Sequence, residues 1–202
     1  MSAPDRAPAA GRIAIRDATP DDAEAMARVT VVSAREAYRD TLPDLARAFS
    51  APEMPELWAT RYRDWLAGGS MPGVFGLVAD DPRQGVVGFL LAGPERTGDA
   101  DYTGEVLLLY LLPTHQRRGL GRRLLAEGAR RLVQRGHQSL LIWVFAANAA
   151  GRRFYEALGG VPARERENQI LGVRLAEVGY GWRDAQALLG GDTTPGDSPT
   201  TR

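Results

Sequence analysis

Residues 111–125, LLPTHQRRGLGRRLL, set Gly119 and Gly121 one residue apart between two arginine pairs, Arg117–Arg118 and Arg122–Arg123. An apolar run precedes the glycines and an Arg/Leu pattern with helical spacing follows, so they fall where a strand hands over to a helix. The first four N–H groups of a helix lack intrahelical acceptors, and the helix dipole adds partial positive charge there. Glycine removes the Cβ that would keep a ligand away from those amides, and the guanidinium groups add full charges. Such a turn suits a diphosphate, each helix-end contribution amounting to about 0.3–1 kcal/mol. The same residues would equally make a tight turn with solvated arginines. A Rossmann dinucleotide site would need a third glycine, where Leu124 stands, and an acid on the next strand, which SLLIWVF (139–145) lacks.

The rest of the chain narrows the chemistry. Its 202 residues favour one domain with a substantial core. Twenty-five acidic and 25 basic residues balance, which argues against a nucleic-acid or anionic-membrane partner. Every basic residue is Arg, so there is no Walker-type phosphate loop and no Schiff-base lysine. With no cysteine and only His115 and His137, thiol chemistry and a multi-histidine metal site are excluded, and no metal is expected. No apolar run is long enough to span a bilayer, and MSAPDRAPAAG lacks the apolar middle of a signal peptide, so a cytoplasmic protein is the expectation.

The elements that must carry the glycine turn alternate. Residues 1–11 and 190–202 read as mobile tails around a domain at 12–189. RIAIRDA (12–18) reads as a strand, followed by a helix with Thr19 as N-cap and Pro20 at its first position. A second helix spans roughly 53–67, then come two strands, GVFGLVA and GVVGFLLAG, around the turn DDPRQ. GEVLLLYLL (104–112) is apolar on both faces after Glu105 and should be central in the sheet. Helix 119–135, strand 139–145, a short helix 149–158 and two closing strands within 161–183 complete one mixed α/β domain. On the short helix Phe154 and Leu158 mark the buried face, and Tyr155, rotated by about 100°, need not share it.

Three separated stretches resemble one family. HQRRGLGRRLL resembles the Q/R-x-x-G-x-G/A motif of the Gcn5-related N-acetyltransferases (GNAT), ANAAGRRFYEALGG looks like their Asn-to-Tyr signature followed by Glu-x-x-Gly, and ATPDDAEAMARV resembles their first strand–helix unit. SAREAYRDTLPD, WATRYRDWLA and GVRLAEVGYGW are similar to a mostly uncharacterised bacterial subgroup, so the resemblance covers about residues 12–185. It implies a GNAT-like fold, a central mixed sheet flanked by helices. It implies acetyl-coenzyme A as co-substrate, with its pyrophosphate on Gln116, Arg117, Arg118, Gly119, Leu120, Gly121 and Arg122. The strand before the turn splays from its neighbour in this family, so backbone groups of Leu109, Tyr110 and Leu111 are expected to pair with pantetheine, the Leu111 N–H also polarising the acetyl carbonyl. Asn148 falls on the coenzyme-contacting Asn, though Asn is also a favoured N-cap.

Tyr155 falls on the general acid of the family, and a phenol near pKa 10 is a plausible donor to a thiolate. Glu105, eleven residues before Gln116, matches the glutamate base of the histone-acetylating branch; a solvated strand-end carboxylate is the equal alternative. The branch that acetylates ribosomal-protein N-termini carries a Glu where this chain has Trp143, which speaks against that substrate. Tyr38, Trp58, Tyr62 and Trp65 are candidates for acceptor recognition, unless they are core. The reading is an acetyl-coenzyme A-dependent N-acetyltransferase in which a bound primary amine, of a small molecule or a protein, attacks the thioester directly. A non-catalytic acyl-coenzyme A sensor is the alternative. The sequence fixes neither the acceptor nor whether the protein forms a homodimer.

Overall fold

A computed structural model describes residues 12–190; the tails expected at 1–11 and 190–202 fall outside it except for Gly190. A seven-stranded sheet has the order β1-β2-β3-β4-β5-β7-β6. Its strands are β1 (Ala14–Asp17), β2 (Phe75–Asp81), β3 (Gly85–Pro94), β4 (Gly104–Leu111), β5 (Leu140–Phe145), β6 (Val161–Ile170) and β7 (Val173–Trp182). β4 and β5 are parallel and every other pair is antiparallel. The apolar run at 104–112 takes the central place in this order.

Among the described residues the sheet is accompanied by the α-helices α1 (Ala23–Tyr38), α2 (Pro43–Ala48), α3 (Met54–Leu66), α4 (Leu120–Gln134) and α5 (Ala149–Glu156). The start of α1 differs from expectation. Pro20–Asp22 form a separate 3-10 turn, in which the Asp22 carboxylate accepts from the Thr19 N–H at 2.9 Å and from Arg16 at 2.8 Å. The carboxylate thus supplies the acceptor that the Thr19 amide lacks and ties β1 to α1. α2 is an addition that sequence periodicity did not reveal, since six residues hold too few turns to display a period.

α1 and α3 pack together, and α1 covers β3 and β4. Aromatic rings run in file from Phe49 through Trp58 and Tyr62 to Phe89 and Tyr110, at centroid distances of 5.3–6.1 Å. Tyr62 is fully buried, its hydroxyl 2.7 Å from Thr30 Oγ1, and Trp58 is buried too, so these two acceptor candidates are core residues. Each fully buried side chain of this kind contributes about 1.5–3 kcal/mol relative to exposure. α4 also contacts β3 and β4, burying Leu120, Leu124, Leu125 and Leu132. Among the described residues no helix is long and apolar enough to cross a membrane, and no group of three or more His, Cys, Asp or Glu is arranged to hold a metal.

Candidate active site

The parallel pairing of β4 with β5 covers only Gly104–Val106 against Leu140–Ile142, although both strands continue. The register with β3 explains the divergence. It steps between Leu91↔Leu108 and Ala92↔Val106, leaving Leu107 as an extra residue, and such a bulge bends and twists its strand. Beyond it β4 follows β3 and leaves β5, opening a gap whose β4 wall, Leu107–Leu111, is half-buried.

Alternation of the antiparallel ladder decides which backbone groups face that gap. Leu112 N–H donates to Val87 O at 2.9 Å, which makes Leu111↔Gly88 a non-hydrogen-bonded pair. By the same alternation Tyr110 exchanges its bonds with Phe89, while Leu109, like Leu111, turns its N–H and C=O away from β3. Of the three residues expected to offer backbone groups, Leu109 and Leu111 have them on the gap side; Tyr110 has its backbone committed to β3 and contributes its ring instead. The Leu111 carbonyl accepts from Ser33 Oγ at 2.8 Å and from Gln116 Nε2 at 3.1 Å, which anchors the end of the strand to α1 and to the following turn.

That turn is open. Arg117 has φ +58° and Gly119 φ +76°, two left-handed residues around Arg118. For an arginine this is an uncommon backbone state, of the sort that clusters at ligand clamps. A Cβ built on Gly119 would meet nothing within 4 Å, whereas one on Gly121 would press at 3.3 Å on Leu111 and Phe154. The first amide of α4 to find a backbone acceptor is that of Arg123, bonded to Gly119 O at 3.1 Å. The N–H groups of Arg118, Gly119, Leu120, Gly121 and Arg122 have no acceptor among the described residues. The side chains of Arg117, Arg118 and Arg122 are exposed and unpaired with any described carboxylate, while Arg123 is tied to Ile13 O at 3.0 Å. Consecutive free amides, a bare Cα and three free guanidinium groups make an anion cradle at the mouth of the gap.

Across the gap, Asn148 caps α5 through its Oδ1, which accepts from Gly151 N–H at 2.9 Å, and its amide also lies against the Tyr38 phenol. Tyr155 is the buried residue of α5, while Phe154 and Leu158, expected to mark the buried face, are only half-covered. Its ring packs on Phe154, Tyr180 and Trp182 at 5.3, 5.9 and 6.3 Å. The reason is that β7 places Tyr180 and Trp182 on the face that α5 covers. The hydroxyls of Tyr110 and Tyr155 have no described partner, and among the described residues only the indole nitrogens of Trp58 and Trp143 are both enclosed and unpartnered. Both phenol oxygens therefore reach open space. Burial pushes the Tyr38 phenol up to about 12 and raises those of Tyr110 and Tyr155 well above the ordinary value of 10. All three are neutral proton carriers at neutral pH.

Glu105 lies where β4 and β5 are still paired. It is 1% exposed and gives both oxygens to Arg96, at 2.9 Å to Nε and 2.6 Å to Nη2. A second buried glutamate, Glu177 on β7, belongs to neither the glycine-turn motif nor the Asn-to-Tyr signature. It stands between Phe145 and Arg166 in one row across three strands. Period-two alternation in LAEVGYGW sets it on the face that carries Leu175, Gly179 and Gly181, a charged residue in line with glycines, and that is the signal that could have found it.

The profile of the acetyltransferase (GNAT) family matches residues 34–160. An uncharacterised N-acetyltransferase, YuaI, of Bacillus subtilis (strain 168) is 38% identical over 177 residues, which cover 87% of this chain and 96% of that protein. A GCN5-related N-acetyltransferase structure from Rhodopseudomonas palustris aligns with TM-score 0.65 at 21% identity, over 86% of this chain and 96% of that one. YncA of Salmonella typhimurium, solved with acetyl-CoA, aligns with TM-score 0.64 at 20% identity, over 93% of this chain and all of that one.

Proposed function

Because this chain belongs to the GNAT acetyltransferase family, and is an acyltransferase with that family's fold, we propose that it moves the acetyl group of acetyl-coenzyme A to a primary amine by direct attack. The observation that carries the reading is the run of five unacceptored amides from Arg118 to Arg122 around the bare Cα of Gly119. This cradle fits a pyrophosphate: its amides supply hydrogen bonds without a competing side chain, and Arg117, Arg118 and Arg122 supply charge. Gln116 holds the turn against β4, and the gap-facing backbone of Leu109 would pair with the pantetheine amides, the Leu111 carbonyl being taken by Ser33 and Gln116. Acetyl-coenzyme A supplies an activated acetyl group as a thioester.

The remaining work falls to this chain. The Leu111 N–H, turned into the gap, stabilises negative charge growing on the acetyl oxygen. The amine nitrogen bonds to the carbonyl carbon as the carbon–sulfur bond breaks, the sulfur takes the Tyr155 phenol proton, and the surplus proton of the nitrogen restores the phenol. Burial keeps Tyr155 protonated, so the phenol carries its proton when the sulfur leaves. Asn148 orients the start of α5 and presents its amide to Tyr38. With both oxygens engaged by Arg96, Glu105 holds that arginine in place and is left out as the base. The protein acts in the cytoplasm on this reading.

Calorimetric titration with acetyl-coenzyme A, followed by an acetylation assay over a panel of primary amines, tests the proposal. Tyr155→Phe should leave acetyl-coenzyme A affinity unchanged and lower kcat/KM about 100-fold, the lower range for general acid–base catalysis. Tight binding with no amine acetylated by the native protein would favour the sensor, a reading to which the fully engaged Glu105 gives some weight.

A further inference from the structure

Glu177 is 6% exposed, and its two oxygens are used unequally. Oε2 accepts from Arg166 Nε at 2.6 Å and from Asn168 Nδ2 at 3.2 Å. Oε1 has no described partner, and it is not among the enclosed, unpartnered atoms, so it opens onto space. Glu105, the other buried glutamate of this face, has both oxygens bonded to Arg96.

The surroundings of Oε1 connect it to the gap. Phe145, its register partner on β5, packs on Tyr38 at 5.2 Å. The Glu177 charge acts on the Tyr38 and Tyr110 phenols, and the Tyr155 phenol is close enough to feel Tyr38. Tyr38 therefore stands between the carboxylate and the proton donor. The Trp143 ring fills the space left by the missing Cβ of Gly179, with Arg166 stacked on it at 3.9 Å. That stack holds Arg166 in the position from which it occupies Oε2 alone. The result is a half-engaged carboxylate beside two aromatic rings, Tyr38 and Phe145, a combination suited to a cation.

Resting on the acetyltransferase reading above, we infer that the acceptor is a primary ammonium held by Glu177 Oε1 against Tyr38 and Phe145, and that this oxygen takes the first proton from it. The ammonium then becomes a neutral amine, Glu177 is protonated, and the proton passes to solvent after acetyl transfer. Of the charged groups around this carboxylate, Arg166 from β6 is bonded to it and Arg96, after β3, feels its charge; the neutral phenols that feel it are those of Tyr38 and Tyr110.

The test compares native protein, Glu177→Gln and Glu177→Asp with acetyl-coenzyme A and the best amine of the panel. Glu177→Gln should bind acetyl-coenzyme A normally and lose about 100-fold in kcat/KM near neutral pH. The deficit should shrink as pH approaches the pKa of the amine, because a free amine needs no base. Should Glu177→Gln fail to bind acetyl-coenzyme A, and so be misfolded, Glu177→Asp decides: it keeps a base and the native pH profile at reduced kcat/KM. Native turnover with either folded variant indistinguishable from it overturns the Glu177 assignment alone. Acetyl-coenzyme A binding without native turnover on any amine overturns the acetyltransferase reading, and this inference with it.

Discussion

Two buried glutamates on one face of the sheet differ in what remains of their lone pairs. Glu105 is enclosed with Arg96 as its counterion, and Arg96 itself is nearly half exposed. The pair is then a structural clamp across the end where β4 and β5 still run together. Removing one partner of such a clamp strands a buried charge, which costs far more than the pair contributes net. Arg96→Ala should lower stability by about 2–3 kcal/mol, water reaching the arginine side keeping the loss below that of a fully dry pair. A urea titration measures it, and Glu105→Gln in the same background should recover much of the loss. Unchanged stability in Arg96→Ala would mean that Glu105 is not held by this arginine.

At the level of elements, the bulge in β4 and the left-handed turn before α4 act in series. The bulge opens the gap and the turn presents amides at its mouth. Gly119 is the residue through which the turn can be tested, because its φ of +76° and its open surroundings separate strain from obstruction. Gly136, with φ +92° and equally open surroundings, ends α4 on the far side and serves as a matched control. Gly119→Ala and Gly136→Ala should each cost about 1–2 kcal/mol of stability from the left-handed backbone. Only Gly119→Ala should also weaken acetyl-coenzyme A binding, by several-fold in a calorimetric titration. Equal affinities in the two variants would remove the cradle from the coenzyme site.

For the whole molecule, every basic residue other than His115 and His137 is an arginine, and several arginines hold carboxylates in the charged state. Arg130 and then Arg131 keep Glu127 at about 2, and Arg183 and then Arg164 keep Asp101 at about 2. Arg16 lowers Asp22 and Arg164 lowers Asp99. Each of these groups binds its proton more weakly folded than unfolded, so protonation favours the unfolded chain. The stability they add is complete above the unfolded carboxylate values of about 4 and is lost as pH falls through the folded ones toward about 2. Urea midpoints measured across pH 2–7 should be level above about pH 5 and fall below about pH 4. Asp22→Asn should flatten part of that slope; a curve identical to the native one would deny Asp22 its share.

The glycine turn and, apart from α2, the order of strands and helices were legible in the chain because each is a local pattern, backbone freedom and apolar period being written within a few residues; the Asn148–Tyr155 spacing was legible through its resemblance to the family signature. Tyr38 was a candidate among four aromatics, and nothing in the spacing distinguished it from Trp58 and Tyr62, which differ from it only in what packs around them. The same holds for the glutamates. Whether an oxygen is free depends on hairpin register: Arg96 and Arg166 lie only 9 and 11 residues from Glu105 and Glu177, and they meet them because β4 folds back along β3 and β7 along β6. The committed backbone of Tyr110 and the gap-facing backbone of Leu109 and Leu111 likewise follow from register with β3, which one bulged residue shifts. The sequence by itself determined which polar and titratable groups this protein has; the tertiary structure decided which of them are left unpaired, because pairing is settled by strand register and packing, which no short stretch of sequence states.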